Sequence, residues 1–232
     1  MYEHPLIHRN FIFMAFLGSA LLKPTIISFT VLTSLLISLT ASSNENIGSH
    51  LSANDLNDIT RIESYLESIT TIESGFIEMA STGEISEGKI RIWRPGRLRI
   101  DYNPPKPLII KTNGLFLVIY DKELDQATQI PLATTPISFL IAEKIELNGR
   151  QLTVAKIRRR SNTIEVEITQ KEDPLAGEVT IIFSDNPLTL QQWIVKDAHG
   201  ITTNFALTGA RTGVEFDPAI FVSKVKKLKR MD

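Results

Sequence analysis

From Ile72 to Leu207 apolar residues recur at every second position in one short run after another. Successive side chains on an extended strand point to opposite faces, so each run predicts a strand with one buried face. The runs span 75–79, 89–93, 98–102, 108–111, 115–120, 127–130, 152–157, 163–169, 178–183, 190–196 and 202–207. Turn-forming residues separate them, among them Thr82-Gly83, Pro95-Gly96, Asn113-Gly114, Asn148-Gly149, Asp173-Pro174, Asp185-Asn186-Pro187 and His199-Gly200. Strands that follow each other with almost no helix between them predict an antiparallel sheet. Above ~10 strands the accumulated twist makes such a sheet curl or close. The expected fold is mainly β: a single curled antiparallel sheet, an open half-barrel of about eleven strands, covered on its concave face by α-helices.

Two segments supply that cover. Leu56, Ile59, Ile62, Leu66 and Ile69 recur at intervals of three and four, an amphipathic helix with Asn54 or Asp55 as its cap. Thr135-Pro136 starts a second helix, and Ile137, Phe139, Leu140 and Ile141 leave it apolar on most sides, so it must pack against something. The expected core-facing set is Ile90, Ile92, Leu98, Ile100 and Tyr102 from the sheet, with Phe139 and Leu140 from the cover. Strand 115–120 is apolar on both faces, which predicts a central place in the sheet.

Arg94 disturbs this pattern. If the parity of the strand before it continues, its guanidinium lies on the same face as Ile90 and Ile92. An unpaired charge there is costly, so Arg94 requires a partner, and backbone carbonyls of the covering helices are the expected ones.

Composition removes several function classes. A net charge of −1 gives no positive excess with which to neutralise phosphates, which argues against nucleic acid as a partner. The chain has no cysteine, so disulfides, thiol catalysis, cysteine-ligated metals and an N-terminal lipidated cysteine are excluded together. His50 and His199 stand apart, without metal-ligand spacing or a triad pattern. Gly83 to Lys89 has the glycine spacing of a phosphate loop, but Ile90 follows the lysine and the context is strand, so a hairpin turn is the better reading. Glu165 and Glu167 alternate with apolar residues on a solvated sheet face, and the run Arg158-Arg159-Arg160 reads as an exposed hairpin tip. No catalytic, metal or cofactor site is expected.

The N-terminus holds two apolar blocks, 11–22 and 26–39, and turns polar at Ser42. Residues 1–41 are expected to be a signal peptide or, alternatively, an uncleaved anchor, followed by a linker over 42–53 and a single domain over 54–232. The basic C-terminal stretch from Lys224 to Arg230 reads as a solvated terminus.

The ordered series Gly88, Arg94-Pro95, Leu98-Arg99-Ile100-Asp101-Tyr102, Pro104-Pro105, Asn113-Gly114, Tyr120-Asp121 and Gln126 resembles the LolA family of periplasmic outer-membrane lipoprotein carriers. The Thr135-Pro136 segment and the Asp197 to Gly200 turn follow in the family's order, so the likeness runs from about Asp55 to about Phe221. Ile100 departs from it, because the family often has tryptophan there. The resemblance implies a monomeric, non-enzymatic periplasmic protein that shelters the acyl chains of lipoproteins. It would receive them from an inner-membrane lipoprotein-releasing transporter and deliver them to an outer-membrane acceptor. It also implies that Arg94 is a lid latch and that the seven core-facing residues line the cargo site. A second reading is a lipid-binding sensor or regulatory module of the same fold. A third, a lipid hydrolase, lacks a nucleophile elbow.

Overall fold

The computed structural model of the chain describes residues 51–112, 114–135 and 138–222. The expected leader, most of the linker, Pro136, Ile137 and the basic tail lie outside those residues. No helix among the described residues is long and apolar enough to cross a membrane.

Helix α1 (Ala53–Ser68) comes first, followed by the strands β1 (Thr71–Ala80), β2 (Ile85–Trp93), β3 (Arg97–Tyr102), β4 (Leu108–Thr112), β5 (Phe116–Asp121) and β6 (Gln126–Pro131). Two 3₁₀ turns, Leu132–Thr134 and Ser138–Ile141, lead toward β7 (Leu152–Arg160), β8 (Thr163–Gln170), β9 (Gly177–Asp185), β10 (Leu188–Asp197) and β11 (Thr202–Thr212). All eleven strands join one antiparallel sheet in the order β6-β5-β4-β3-β2-β1-β11-β10-β9-β8-β7, and it does not close into a barrel. Each neighbouring pair is a hairpin except β1 with β11, where Phe76 faces Leu207 and the two ends of the chain's β region meet. The sheet edges are therefore β6 and β7, which are consecutive in sequence. Their connection, residues 132–151, has to travel from one edge to the other.

The curl has local causes. Register shifts opposite Glu73/Gly75, at Leu190/Gln192 and at Val154/Lys156 insert bulges into β11, β10 and β7, and each bulge bends its strand. Gly88 permits the closest approach on the inner face. A Cβ there would sit 2.2 Å from the carbonyl oxygen of Asp101 and 2.7 Å from the Phe76 ring.

One apolar cluster fills the inner face and joins it to α1 through Ile59, Ile62 and Leu66. Leu56, expected on that stripe, is 50% exposed, since the sheet is met only from the second turn of the helix onward. The helix is capped by Ser52, not by Asn54 or Asp55. Ser52 Oγ accepts from the Asp55 N–H and the Asp55 carboxylate accepts from the Ser52 N–H, a reciprocal capping box.

The described end of the predicted second helix, Ser138–Ile141, is a 3₁₀ turn, and α1 is the one α-helix among the described residues. Strand β5 lies next to the edge strand β6, not at the sheet centre. Its alternate residues Leu117 and Ile119 enter the inner cluster, whereas Val118 is buried on the other side. Arg158, Arg159 and Arg160 lie at the tip of the β7–β8 hairpin, with Arg159 and Arg160 exposed as expected. They end β7 and pair with Glu165, Glu167, Asp55 and Asp58.

Candidate functional site

The pairing of β2 with β3 places Ile90 opposite Ile100 and Ile92 opposite Leu98. Those four residues, with Tyr102, Phe139 and Leu140, are all buried members of the one inner cluster. Leu98 is wholly buried, and its N–H donates to Thr112 Oγ1, whose hydroxyl in turn donates to the Gly96 carbonyl. Gly96, at φ +79°, turns the chain from β2 into β3 and donates its own N–H to the Ile141 carbonyl at 2.7 Å. The 3₁₀ turn carrying Phe139 and Leu140 is thereby tied to the sheet beside Arg94.

Arg94 is half-buried at the same end of the inner face. Its Nε donates to the Ile69 carbonyl at 2.8 Å, and one terminal nitrogen donates to the carbonyls of both Leu66 and Ile69. These carbonyls belong to the last turn and C-cap of α1, where the Ile69 N–H is the one local donor, to Leu66, and the helix dipole favours a cation. Arg94 thus grips the end of α1 and does not reach the 3₁₀ turns. Burial pushes its proton affinity down, and the negative charge of Glu67 opposes that shift.

The opposite end of the inner face is polar, which alternation had not marked. Glu78 follows Phe76 on the inward side of β1 and is 2% exposed. It accepts from the Tyr102 hydroxyl and from Lys106 Nζ, the latter at 2.8 Å. Lys106 also lies 4.4 Å above the Tyr102 ring, and that ring meets Phe76 edge-on. Burial pushes the Tyr102 hydroxyl far above its ordinary pKa, and the Glu78 carboxylate reinforces the shift. The available signal was Glu78 itself, an acidic residue at inward parity between Phe76 and Ala80. Its partner Lys106 comes from a loop that periodicity cannot place.

No group of three or more His, Asp or Glu side chains able to hold a metal occurs among the described residues. Most carboxylates near the sheet are committed to ion pairs, as Glu73 is to Arg91 and Arg211, and Asp101 is to Arg91 and Arg99. Under its cover the inner face offers apolar side chains, one cation holding a helix end, and one polar network at the far end.

Comparison with known proteins gives this arrangement a context. An uncharacterized protein of Rickettsia prowazekii, RP864, is 26% identical over 178 residues, covering 77% of this chain and 78% of that protein. An outer-membrane lipoprotein carrier protein of Coxiella burnetii is 29% identical over 119 residues, 49% of this chain and 52% of the relative. A solved structure, the LolA superfamily protein NE2245 from Nitrosomonas europaea, superimposes with a TM-score of 0.44 at 10% identity, over 71% of this chain and 97% of that one. Residues 67–224 match the family described as outer membrane lipoprotein carrier protein LolA, and the chain belongs to that family.

Proposed function

We propose that this protein is a periplasmic carrier that takes the acyl chains of lipoproteins onto the inner face of its sheet and moves them from the inner to the outer membrane. The observation that carries the reading is Arg94. It is a cation at the apolar end of the interior, spent entirely on holding the end of α1 over that interior. Such a contact does no chemistry, but it sets how readily the cover lifts. Family membership and the carrier names of relatives support the same reading.

On this reading Ile90, Ile92, Leu98, Ile100, Tyr102, Phe139 and Leu140 line the cargo site, and in the described state they pack against one another and α1. Acyl chains replace those contacts when α1 and the 3₁₀ turns lift. Each methylene removed from water contributes ~0.8 kcal/mol, so about ten of them supply ~8 kcal/mol toward opening. The partners are acylated lipoproteins, an inner-membrane lipoprotein-releasing transporter and an outer-membrane acceptor, and the protein works as a monomer after export. Mass spectrometry of the protein isolated from its native compartment tests the reading. Acylated polypeptides bound in about equimolar amount are expected. Protein recovered free of acylated species, and unable to accept a purified triacylated lipoprotein, refutes it.

A further inference from the structure

Helix α1 carries Glu63 and Glu67 one turn apart, so both project from the same side of the helix. Both reach the stretch of chain that runs from the second 3₁₀ turn toward β7. The Leu147 N–H donates to Glu63 Oε1 at 2.7 Å, and the Ile145 N–H donates to Glu67 Oε1 at 3.1 Å. The Asn148 N–H adds a second donor to Glu63. Ile145 and Leu147 are 2% and 0% exposed, and neither lies in a strand or helix that would satisfy its amide. Without the two glutamates these amides would be orphaned against an apolar interior. The charge of Glu67 also acts on the Arg94 guanidinium, so latch and glutamates meet at one place.

We propose that Glu63 and Glu67 are positioning residues that clasp the 138–147 segment to α1, so that the two covers move as one body and releasing Arg94 lifts both. This rests on the carrier reading for its purpose, but the coupling is a property of the protein alone. It supplies what the Arg94 contacts leave out, because Arg94 holds α1 and nothing else of the cover.

The charged groups facing the clasp are Lys144 and Glu146 from the clasped segment, Arg94 from the end of β2, and the two glutamates on each other. Burial pushes the Glu63 carboxyl above its ordinary value, the Leu147 and Asn148 N–H groups oppose that shift, and Glu67 and Glu146 add to it. A raised carboxyl pKa in the clasped state means that protonation favours clasping. The clasp therefore tightens as pH falls into the carboxylate range and loosens as pH rises out of it.

Amide hydrogen exchange on the cargo-free full chain, corrected for intrinsic rates, tests the coupling. In Arg94→Leu, exchange is expected to rise at residues 66–69 and at Ile145 and Leu147 together. In Glu63→Ala/Glu67→Ala it is expected to rise on the order of tenfold or more at Ile145 and Leu147 while residues 66–69 stay protected. Glu63→Gln/Glu67→Gln keeps an oxygen acceptor at each position and is expected to restore protection and flatten its pH dependence. Arg94→Leu that frees residues 66–69 but leaves Ile145 and Leu147 protected overturns the proposal, as does unchanged exchange in the double alanine variant. Because cargo is absent, either result would leave the carrier reading to the mass-spectrometric experiment.

Discussion

Replacing Arg94 with leucine separates a latch from a merely structural arginine. The substitution removes the hydrogen bonds to the Leu66 and Ile69 carbonyls and puts an apolar side chain beside Ile92. A hydrogen bond to a charged group contributes ~1.5–3 kcal/mol, so two carbonyl acceptors represent ~3–6 kcal/mol of gross attraction. Against this stand the desolvation of a half-buried guanidinium and the ~1.5–3 kcal/mol that a newly buried leucine contributes. The net loss to the closed state is about 1–3 kcal/mol, which raises the open-to-closed ratio by roughly fivefold to 150-fold. On the carrier reading closing expels cargo, so the variant should load at least as well as the wild type and deliver about tenfold more slowly or worse. The assay compares loading of a purified acylated lipoprotein with its transfer to an outer-membrane acceptor. Arg94→Lys, which keeps the charge but not the forked geometry, should fall between the two. Wild-type transfer by Arg94→Leu with intact loading refutes the latch.

Other features give independent checks. Lys106→Met leaves the buried Glu78 carboxylate with the Tyr102 hydroxyl alone, and urea denaturation should show a loss of about 3 kcal/mol, the low end for breaking a buried pair because Lys106 keeps some contact with water. Adding Glu78→Gln should recover most of that loss, and an unperturbed Lys106→Met would show that the network contributes nothing. The capping hydrogen bonds from Ser52, together with Arg159, hold the Asp55 carboxyl at about 2, below the ordinary 3.8. A depressed carboxyl pKa stabilises the fold above the ordinary value and is lost as pH falls toward 2, so the first turn of α1 should loosen in that window, and Asp55→Asn should abolish the transition in amide chemical shifts. Gly88→Ala forces a methyl group against the Asp101 carbonyl and the Phe76 ring, which should cost ~1–3 kcal/mol or more and lower the thermal midpoint.

Much of the fold was legible because one face of every strand is buried. Alternation located all eleven strands to within a few residues, since a period of two survives whatever the neighbouring strand is. Neighbours are what it cannot supply. Strand β5 read as central because Val118 is apolar between Leu117 and Ile119, yet β5 sits beside the edge. Residues 135–141 read as an α-helix because a capping threonine and a proline precede an apolar run. The connection instead has to bridge opposite sheet edges, and its described residues include two single 3₁₀ turns. At the site, the parity of Arg94 told that it needed a partner and that backbone carbonyls would serve. That both carbonyls lie at the end of α1 depends on where the helix meets the sheet, which no local pattern records. Glu63 and Glu67 were equally silent, because a glutamate on the polar side of a helix looks the same in sequence whether it faces water or a backbone amide.

On the carrier reading, these contacts define a window rather than a maximum of stability. The cover is held by Arg94 at the end of α1, by Gly96 at Ile141, and by the two glutamates at Ile145 and Leu147, besides its apolar packing. Cargo shifts the balance only through what it binds better in the open state, and a long acyl chain offers ~0.8 kcal/mol per methylene buried. A few methylenes therefore match one hydrogen bond of the cover, and two or three chains overwhelm all of them. A cover without polar ties would stay open around its cargo, and one with many more would never admit it. Polar groups at the rim of an apolar interior, costly as packing, are in this view what makes binding reversible. The same logic places the ties on backbone carbonyls and amides, whose positions are fixed by α1 and the sheet, so that the cover returns to one closed geometry each time cargo leaves.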